Sequence, residues 1–487
     1  TYSDGIGLQY RTASGQSAAE GPSYSGTAPI WIKLARTGSS FTGYYSTSTS
    51  TPSTWTSIGT ISAPGIANDA LAGLAVTSHN TAKTDTSTFT NVQITGTDAA
   101  PVVVVGAATS AATIPVGSSV NLSVLGTDDA GASALTYTWS ATPSSGVSFT
   151  ANASNAAANT TATFTSPGLY SLLVTLSNGT GLTATSTVNV NVLPSWLSAT
   201  SIASWNPSTH ILTVSGPATI VADPGADEPI IEASGNSAAI ALDPSSGSDI
   251  HIGGLSLSDG ATATVTSLGS ARTITNYHVL VLGTASAIAA PLFSIDSTSK
   301  LDLADNDLAV LYGSGSSPLS AIAADISEAY DGGAWDEPGL TSSIAKTSGG
   351  VTALGYGEAS ALGLSSFDGV TLGANAVLVK YTLVGDTELR GTVGIGDYDT
   401  VLNNFGTAQG WTGGDFHYGG TVGISDYNAV AGAYGDTLAS VLAASDSEAL
   451  KSNAAAISKQ VAATAQATAT GSVAVAKARV HRSGNSR

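Results

Sequence analysis

Apolar stretches in this chain never run long. They come as segments of about four to eight residues, rich in Val, Ile, Thr and Leu, and Gly, Ser, Asn or Pro cuts them roughly every ten positions. Ile30–Arg36, Phe41–Tyr45, Leu71–Val76 and Thr88–Val92 set the pattern. Val120–Val124, Leu169–Thr175 and Thr185–Val192 continue it, and His210–Val214, Ala239–Leu242 and His278–Leu282 carry it past the middle. This punctuation predicts short strands joined by turns: a string of β-sandwich domains plus a β-solenoid or irregular β domain, and therefore a mainly β fold.

At roughly 100–200 residues per domain, the 487 residues allow about three to five domains. Charged residues make up 10%, against the usual quarter or so. The 42% hydrophobic content excludes a disordered chain, and no run of about 18 apolar residues offers a membrane-spanning helix. The absence of cysteine excludes disulfides, thiolate metal sites and thiol catalysis. The absence of methionine leaves no initiator residue, so the sequence is expected to be a mature or trimmed product without its signal peptide. The net charge of −19 is unevenly spread: Lys451 to Arg487 holds six Lys or Arg and no Asp or Glu. An acidic body argues against nucleic acid as a partner. A basic tail suits docking onto a like subunit or an anionic cell envelope.

Five segments follow. Residues 1–97 carry Trp31–Arg36, Phe41–Tyr45, Trp55–Gly59 and Ala70–His79, and on these the segment resembles the C-terminal half of a laminin-G or concanavalin-like jelly roll. Residues 98–193 carry Leu135–Trp139 and Pro167–Thr175, then the turn Ser177-Asn178-Gly179. They resemble a PKD-like immunoglobulin-type sandwich, which would put Tyr170 near the tyrosine-corner position. Residues 194–381 are the β-rich segment, with one helical stretch at Leu319–Tyr330. The pattern Gly332-Gly333-Ala334-Trp335 with Gly339-Leu340 and Ser342-Ser343 is similar to one in large exported proteins of planctomycetes. There it precedes a dockerin-like pair, and residues 382–436 supply such a pair here. Residues 437–487 are expected to form an Ala-rich helix to Gln466 and then a strand-like tail, Ala467–Val480.

The strongest internal repeat sets Gly385–Tyr398 against Gly414–Tyr427, with Asp386 and Asp415 at equivalent positions 29 residues apart. Each copy leads into a helix, expected at Thr400–Phe405 and Asn428–Tyr434. The repeat resembles a type I dockerin, and the resemblance implies two calcium loops and a helical face for a cohesin partner. Calcium takes six to eight oxygen ligands, from loop positions 1, 3, 5, 7, 9 and 12. The matching residues are Asp386, Glu388, Arg390, Thr392, Gly394 and Asp397, and Asp415, His417, Gly419, Thr421, Gly423 and Asp426. The candidate ligands are therefore Asp386, Glu388, Thr392, Asp397, Asp415, Thr421 and Asp426. Arg390 stands where an anionic ligand belongs, and His417 and Gly419 remove two more oxygens. A calcium-free pair is the preferred expectation, with a core of Val393, Ile395, Tyr398, Leu402 and Phe405 and of Val422, Ile424, Tyr427 and Val430.

No catalytic constellation stands out, and no enzyme activity is expected. The six histidines lie far apart. Asp302, Asp305 and Asp307 with Asn306 offer calcium ligands or paired acids but read first as turn-forming groups, and Asp223, Asp227 and Glu228 make a similar acidic turn. Tyr24, Tyr44, Tyr45 and Trp55 are candidates for a sugar-stacking face, weighed against a core role for Trp31, Phe41 and Tyr45. The expectation is a non-catalytic extracellular structural or adhesive protein of a bacterial surface, fibre or matrix, self-associating through its β domains by strand exchange. The alternative is a carbohydrate-binding accessory or scaffold protein of a polysaccharide-degrading system. Its partner would be a polysaccharide or cell-envelope polymer.

Overall fold

The computed structural model describes residues 5–11, 15–66, 72–76, 82–84, 86–96, 99–244, 249–267, 272, 277–284, 291–373 and 375–444. The chain divides into two compact units, Thr1–Ala99 and Ala100–Arg487.

In the first unit, β1 (Ile6–Tyr10) and β2 (Ala19–Tyr24) form an antiparallel ladder. A second antiparallel sheet runs in the order β3 (Trp31–Thr37), β4 (Ser40–Ser46), β5 (Thr56–Ser62). Leu8 of β1 lies over Gly43 of β4, and Pro22 of β2 lies over Gly59 of β5. The strands expected at Leu71–Val76 and Thr88–Val92 do not form: residues 72–76 and 88–92 have no strand pairing, and Leu71 lies outside the described residues. Leu74, Phe89 and Val92 are exposed, so neither segment gains the burial that would hold it on a sheet.

The second unit opens with a sandwich of eight strands: β6 (Val102–Thr109), β7 (Thr113–Pro115), β8 (Ser119–Thr127), β9 (Thr136–Thr142), β10 (Val147–Phe149), β11 (Asn159–Phe164), β12 (Gly168–Ser177) and β13 (Thr183–Leu193). They make two four-stranded sheets, β10-β11-β8-β6 and β7-β13-β12-β9. Strict alternation along β8 and β12 sends Val120, Leu122 and Val124 inward to meet Leu172, Val174 and Leu176 around Trp139. Tyr170 is buried, and its hydroxyl donates to the carbonyls of Ser166 at 3.1 Å and Ser145 at 3.2 Å.

A β-solenoid follows, so the open choice between solenoid and irregular sandwich closes on the solenoid. β14 (Ala203–Asn206) pairs antiparallel with β15 (Ile211–Val214) and closes the first end. The coils are then built from β16 (Pro217–Ile220), β17 (Ile230–Ser234), β18 (Ala239–Leu242), β19 (Ile250–Ile252), β20 (Gly254–Ser258), β21 (Thr262–Val265), β22 (Val279–Leu282), β23 (Leu292–Ile295), β24 (Lys300–Asp302) and β25 (Asp307–Leu311). They stack parallel in three sheets. Branched apolar inward residues stack coil on coil, as in Leu212, Ile231 and Leu255. Next comes α1 (Leu319–Tyr330), where the sequence predicts it, then β26 (Gly339–Thr341) and the short α2 (Ser343–Thr347). Helix α1 packs on β26 at Gly339 (φ +113), where a Cβ would stand 2.2 Å from the Asp325 carbonyl.

β27 (Thr352–Glu358), the short α3 (Ala359–Leu362), the hairpin β28 (Ser366–Phe367) and β29 (Val370–Thr371), and β30 (Ala376–Leu383) complete this part. β30 runs antiparallel to both β25 and β27, which stops the winding. α4 (Ile395–Asn404) and α5 (Ile424–Gly432) follow. Both start earlier than expected, because Asp397 and Asp426 accept from the N–H groups of Gly394 at 2.8 Å and Gly423 at 2.9 Å and fix the first turn. One hydrophobic core runs from Leu193 to Leu438, joining the solenoid and the helical pair. Of the tail, residues 438–444 are helical, and the expected strand at Ala467–Val480 lies outside the described residues. Among the described residues no helix is long and apolar enough to cross a membrane.

Candidate functional site

The two repeat loops fold alike. Asp386 accepts from the N–H groups of Arg390 and Gly391 at 3.1 and 2.7 Å, and Asp415 from those of Gly419 and Gly420 at 3.1 and 2.6 Å. The twelfth-position carboxylates reach back across each loop, Asp397 to the Thr387 N–H at 2.7 Å and Asp426 to the Phe416 N–H at 2.8 Å. Val393 exchanges backbone bonds with Gly435 and Asp436, and Val422 with Gly406 and Thr407. The hydroxyls of Tyr398 and Tyr427, also 29 positions apart, meet at 2.8 Å. The repeat in sequence is thus a repeat in hydrogen bonding.

The four candidate aspartates already have partners within the protein. Asp386, Asp397, Asp415 and Asp426 are buried, and their oxygens are taken by N–H and hydroxyl donors. Glu388 turns out to Arg390, 3.5 Å away. Thr392 bridges to Thr437, and Thr421 is exposed. Among the described residues, the one trio of His, Asp or Glu whose ligand atoms fall within 4.8 Å of one another is Asp331, Asp336 and Glu337, which is exposed and on neither loop.

Loop two carries an ion pair instead. His417 Nδ1 lies 2.8 Å from Asp426 Oδ1. That hydrogen bond raises the imidazole above its ordinary pKa. Burial pushes Asp426 up, but His417 and the N–H donors outweigh it and leave the carboxyl below the usual range. Burial raises Asp386 and Asp415, outweighing the N–H donors that each accepts from. The contribution of His417 is full below its unfolded pKa of about 6.5 and is lost as pH rises through the raised folded value. That of Asp426 is present above about 3.9 and is lost as pH falls through the lowered one. Amide exchange in α5 is therefore expected to slow most between about pH 4 and 6.5. His417→Gln should flatten the alkaline limb, and a wild-type profile without that limb would refute the linkage.

The expected helical core needs correction. Val393, Val422 and Val430 are buried, but Ile395 (61%) and Ile424 (65%) are exposed, as are Leu402 and Phe405. The helices start at Ile395 and Ile424 themselves, so these two side chains stand in the exposed first turn. The pair is held from its other side by aromatic rings. Trp411 and Tyr418 lie against Phe416, Tyr330, Trp335 and Tyr356, with centroids 4.8–6.3 Å apart. Trp411 Nε1 donates to the Asp386 carbonyl at 2.7 Å, and the Tyr418 hydroxyl to the Leu354 carbonyl at 2.9 Å.

A second cluster centres on the buried Arg272, Asp307 and Lys380. Arg272 binds both oxygens of Asp307 and the Asp305 carbonyl. Asp307 also accepts from the Tyr381 N–H at 2.9 Å. Lys380 contacts Asp368 and lies 3.7 Å from Asp307. Tyr277 faces Arg272 at 4.3 Å, and Phe367 faces Lys380 at 5.0 Å. Sequence reasoning weighed Asp307 as a turn residue, a calcium ligand or one of a pair of acids, and missed Arg272, Asp368 and Lys380. The available signal was a lysine inside the apolar run Ala376–Leu383, all of it buried.

The remaining candidates do not come together. Asp302 accepts from the N–H groups of Ala304 and Ser343, and Asn306 ties coils through His278 N–H and the Val265 carbonyl. Asp223 holds His251, and Asp227 accepts from Trp196 Nε1 at 2.7 Å. Tyr24 stacks on Tyr45 at 3.6 Å, while Lys33 sits over Tyr44 at 4.7 Å and Trp55 at 5.2 Å. Consecutive strand residues Tyr44 and Tyr45 face opposite ways, so the four aromatics divide between two faces.

No protein-family model matches the chain, and no curated protein does. Solved structures with matching stretches include a nucleoside hydrolase-related hypothetical protein from Saccharophagus degradans associated with carbohydrate metabolism. It is 23% identical over 20% of this chain and 26% of that one, with a TM-score of 0.17. Domains 1–6 of surface layer protein SbsC match at 15% identity over 19% of this chain and 13% of that one, with a TM-score of 0.14. A chimeric titin Z1Z2 matches at 18% over 20% of this chain and 99% of that one, with a TM-score of 0.14. The chain spans about a quarter of the length of the first of these. None of the three bears on function.

Proposed function

We propose that this chain is a non-catalytic structural or adhesive protein of a bacterial surface, fibre or matrix, working outside the cell by self-association through strand addition. The observation that carries this reading is strand β3. It ends its sheet, and it leaves Ile32 (55%) and Leu34 (62%) exposed on one face. An open apolar edge is a template for another strand. The occupant we assign is the segment Ala467–Val480 of a second copy, whose Val473-Ala474-Val475-Ala476 alternation suits a strand. Backbone bonds along β3 would supply affinity and alternate side chains the specificity. Such a head-to-tail contact does not close, so it grows into a filament.

Electron microscopy of the full chain tests this. Filaments are expected, and they should survive a calcium chelator. Ile32→Lys with Leu34→Lys, and separately truncation after Ala444, should each give dispersed particles. Filaments formed equally well without the tail would refute the donor strand. A polysaccharide-binding role is the second reading, supported by the half-exposed Tyr44 and Trp55 beside Lys33. Dispersed wild-type particles that are retarded in a polysaccharide gel would move the assignment there.

A further inference from the structure

We propose that Lys380 and Asp368 condense within the folded chain into an intramolecular amide, with Asp307 passing the proton between them. The two reactants stand on different elements, Lys380 within β30 and Asp368 in the turn between β28 and β29. Their side chains are in contact, and Asp307 Oδ2 is 3.7 Å from the Lys380 nitrogen. Water is kept from the amine side: Lys380 is 6% exposed, Asp307 0%, and the rings of Phe367 and Tyr277 lie over the ammonium group, while the Asp368 side chain is 20% exposed.

Charge accounting singles out this pair. Arg272 already binds Asp307 through two hydrogen bonds, so one carboxylate has its cation. Lys380 and Asp368 are left as a second ion pair, the lysine buried and the carboxylate largely so, and charges taken out of water are costly to keep. Moving one proton from Nζ to the Asp368 carboxyl leaves a neutral amine beside a neutral acid. Burial, and the charge and hydrogen bond of Asp307, push the Asp368 carboxyl up toward that protonated form. Reactants fixed at this distance have a large effective concentration.

The step balances without an external reagent. The Nζ lone pair attacks Cγ of Asp368 and forms the N–C bond. The second Nζ proton passes to Asp307 and is returned to the departing hydroxyl. The C–O bond breaks and one water leaves. An ammonium and a carboxylate thus become one amide and one water, with nothing oxidised or reduced. The event happens once per chain, and it ties the β28–β29 hairpin to β30.

Intact-mass measurement of the full wild-type chain tests the proposal without any variant that must fold. The expected mass is lower than the sequence mass by one water. Fragmentation should yield a branched peptide joining Lys380 to Asp368. Lys380→Arg and Asp368→Ala should each restore the full sequence mass, and Asp307→Asn should slow the loss at least tenfold. A wild-type chain at its full sequence mass overturns the proposal. So does a water loss that persists in Lys380→Arg, because Asp368-Gly369 can instead close to a cyclic imide that hydroxylamine cleaves. An amide formed at the wild-type rate in folded Asp307→Asn removes the proton role from Asp307.

Discussion

Asp307→Ala is expected to destabilise the solenoid by about 3–5 kcal/mol, because it strands a buried cation. Arg272 is 3% exposed, and both of its bonds to a carboxylate end on Asp307. Burial pushes Asp307 up, but Arg272, with Lys380 adding to it, outweighs that and leaves the carboxyl below its ordinary range. The loss should appear as amide exchange faster by about a hundredfold or more along β25 and β30, since each 1.4 kcal/mol is a factor of about ten. Exchange is the right measure, since a chain with several domains does not melt as one unit. Replacing the pair together, Arg272→Met with Asp307→Leu, should recover most of the loss, because a buried ion pair exchanged for apolar side chains is often neutral. A double variant as unstable as Asp307→Ala would show that the carboxylate matters through the Tyr381 N–H or Lys380 rather than through Arg272.

The second large effect lies at Trp411. Trp411→Ala removes a fully buried ring and is expected to cost about 3–5 kcal/mol. The ring touches Phe416 and Tyr418, and its N–H is the donor to the Asp386 carbonyl. Its bed on β27 is Gly355, where a Cβ would stand 2.6 Å from both Trp411 Nε1 and Leu389 Cδ2. Gly355→Leu should therefore act in the same direction from the opposite side of the contact. In both variants α4 and α5 should lose exchange protection while β8 and β12 of the sandwich keep theirs. Protection unchanged in α4 would mean that the loops are held by their own hydrogen bonds and not by the rings.

These two sites show what a sequence reading can and cannot reach. Residues 119–127 alternate so regularly that strand, facing and core follow from the letters alone. The helix Leu319–Tyr330 is legible to its ends in the same way. The loops were legible as a repeat because equivalent residues sit 29 positions apart. The ion cluster is not, because Arg272, Asp307 and Lys380 come from three segments far apart in the chain and no local pattern links them. The outward face of Ile395 and Ile424 was also out of reach. It depends on where each helix begins, and the Asp397 and Asp426 side chains set that start from within the first turn. Period alone cannot locate such a start.

The solenoid's register has a consequence for how such a chain can change. Ile211, Ile230, Gly254 and Leu292 stack one above another, so successive turns consume 19, 24 and 38 residues. Turn length is free because each strand answers only to its neighbours. The special features sit at the extremities: β14 seals one end, and β30, running backwards, seals the other. A duplicated turn spliced in where Ile252 hands over to Gly254 would lengthen the rod by about 4.8 Å and leave both seals untouched. Reach is then a quantity that descent can adjust in steps of one strand spacing, without redesigning either terminus.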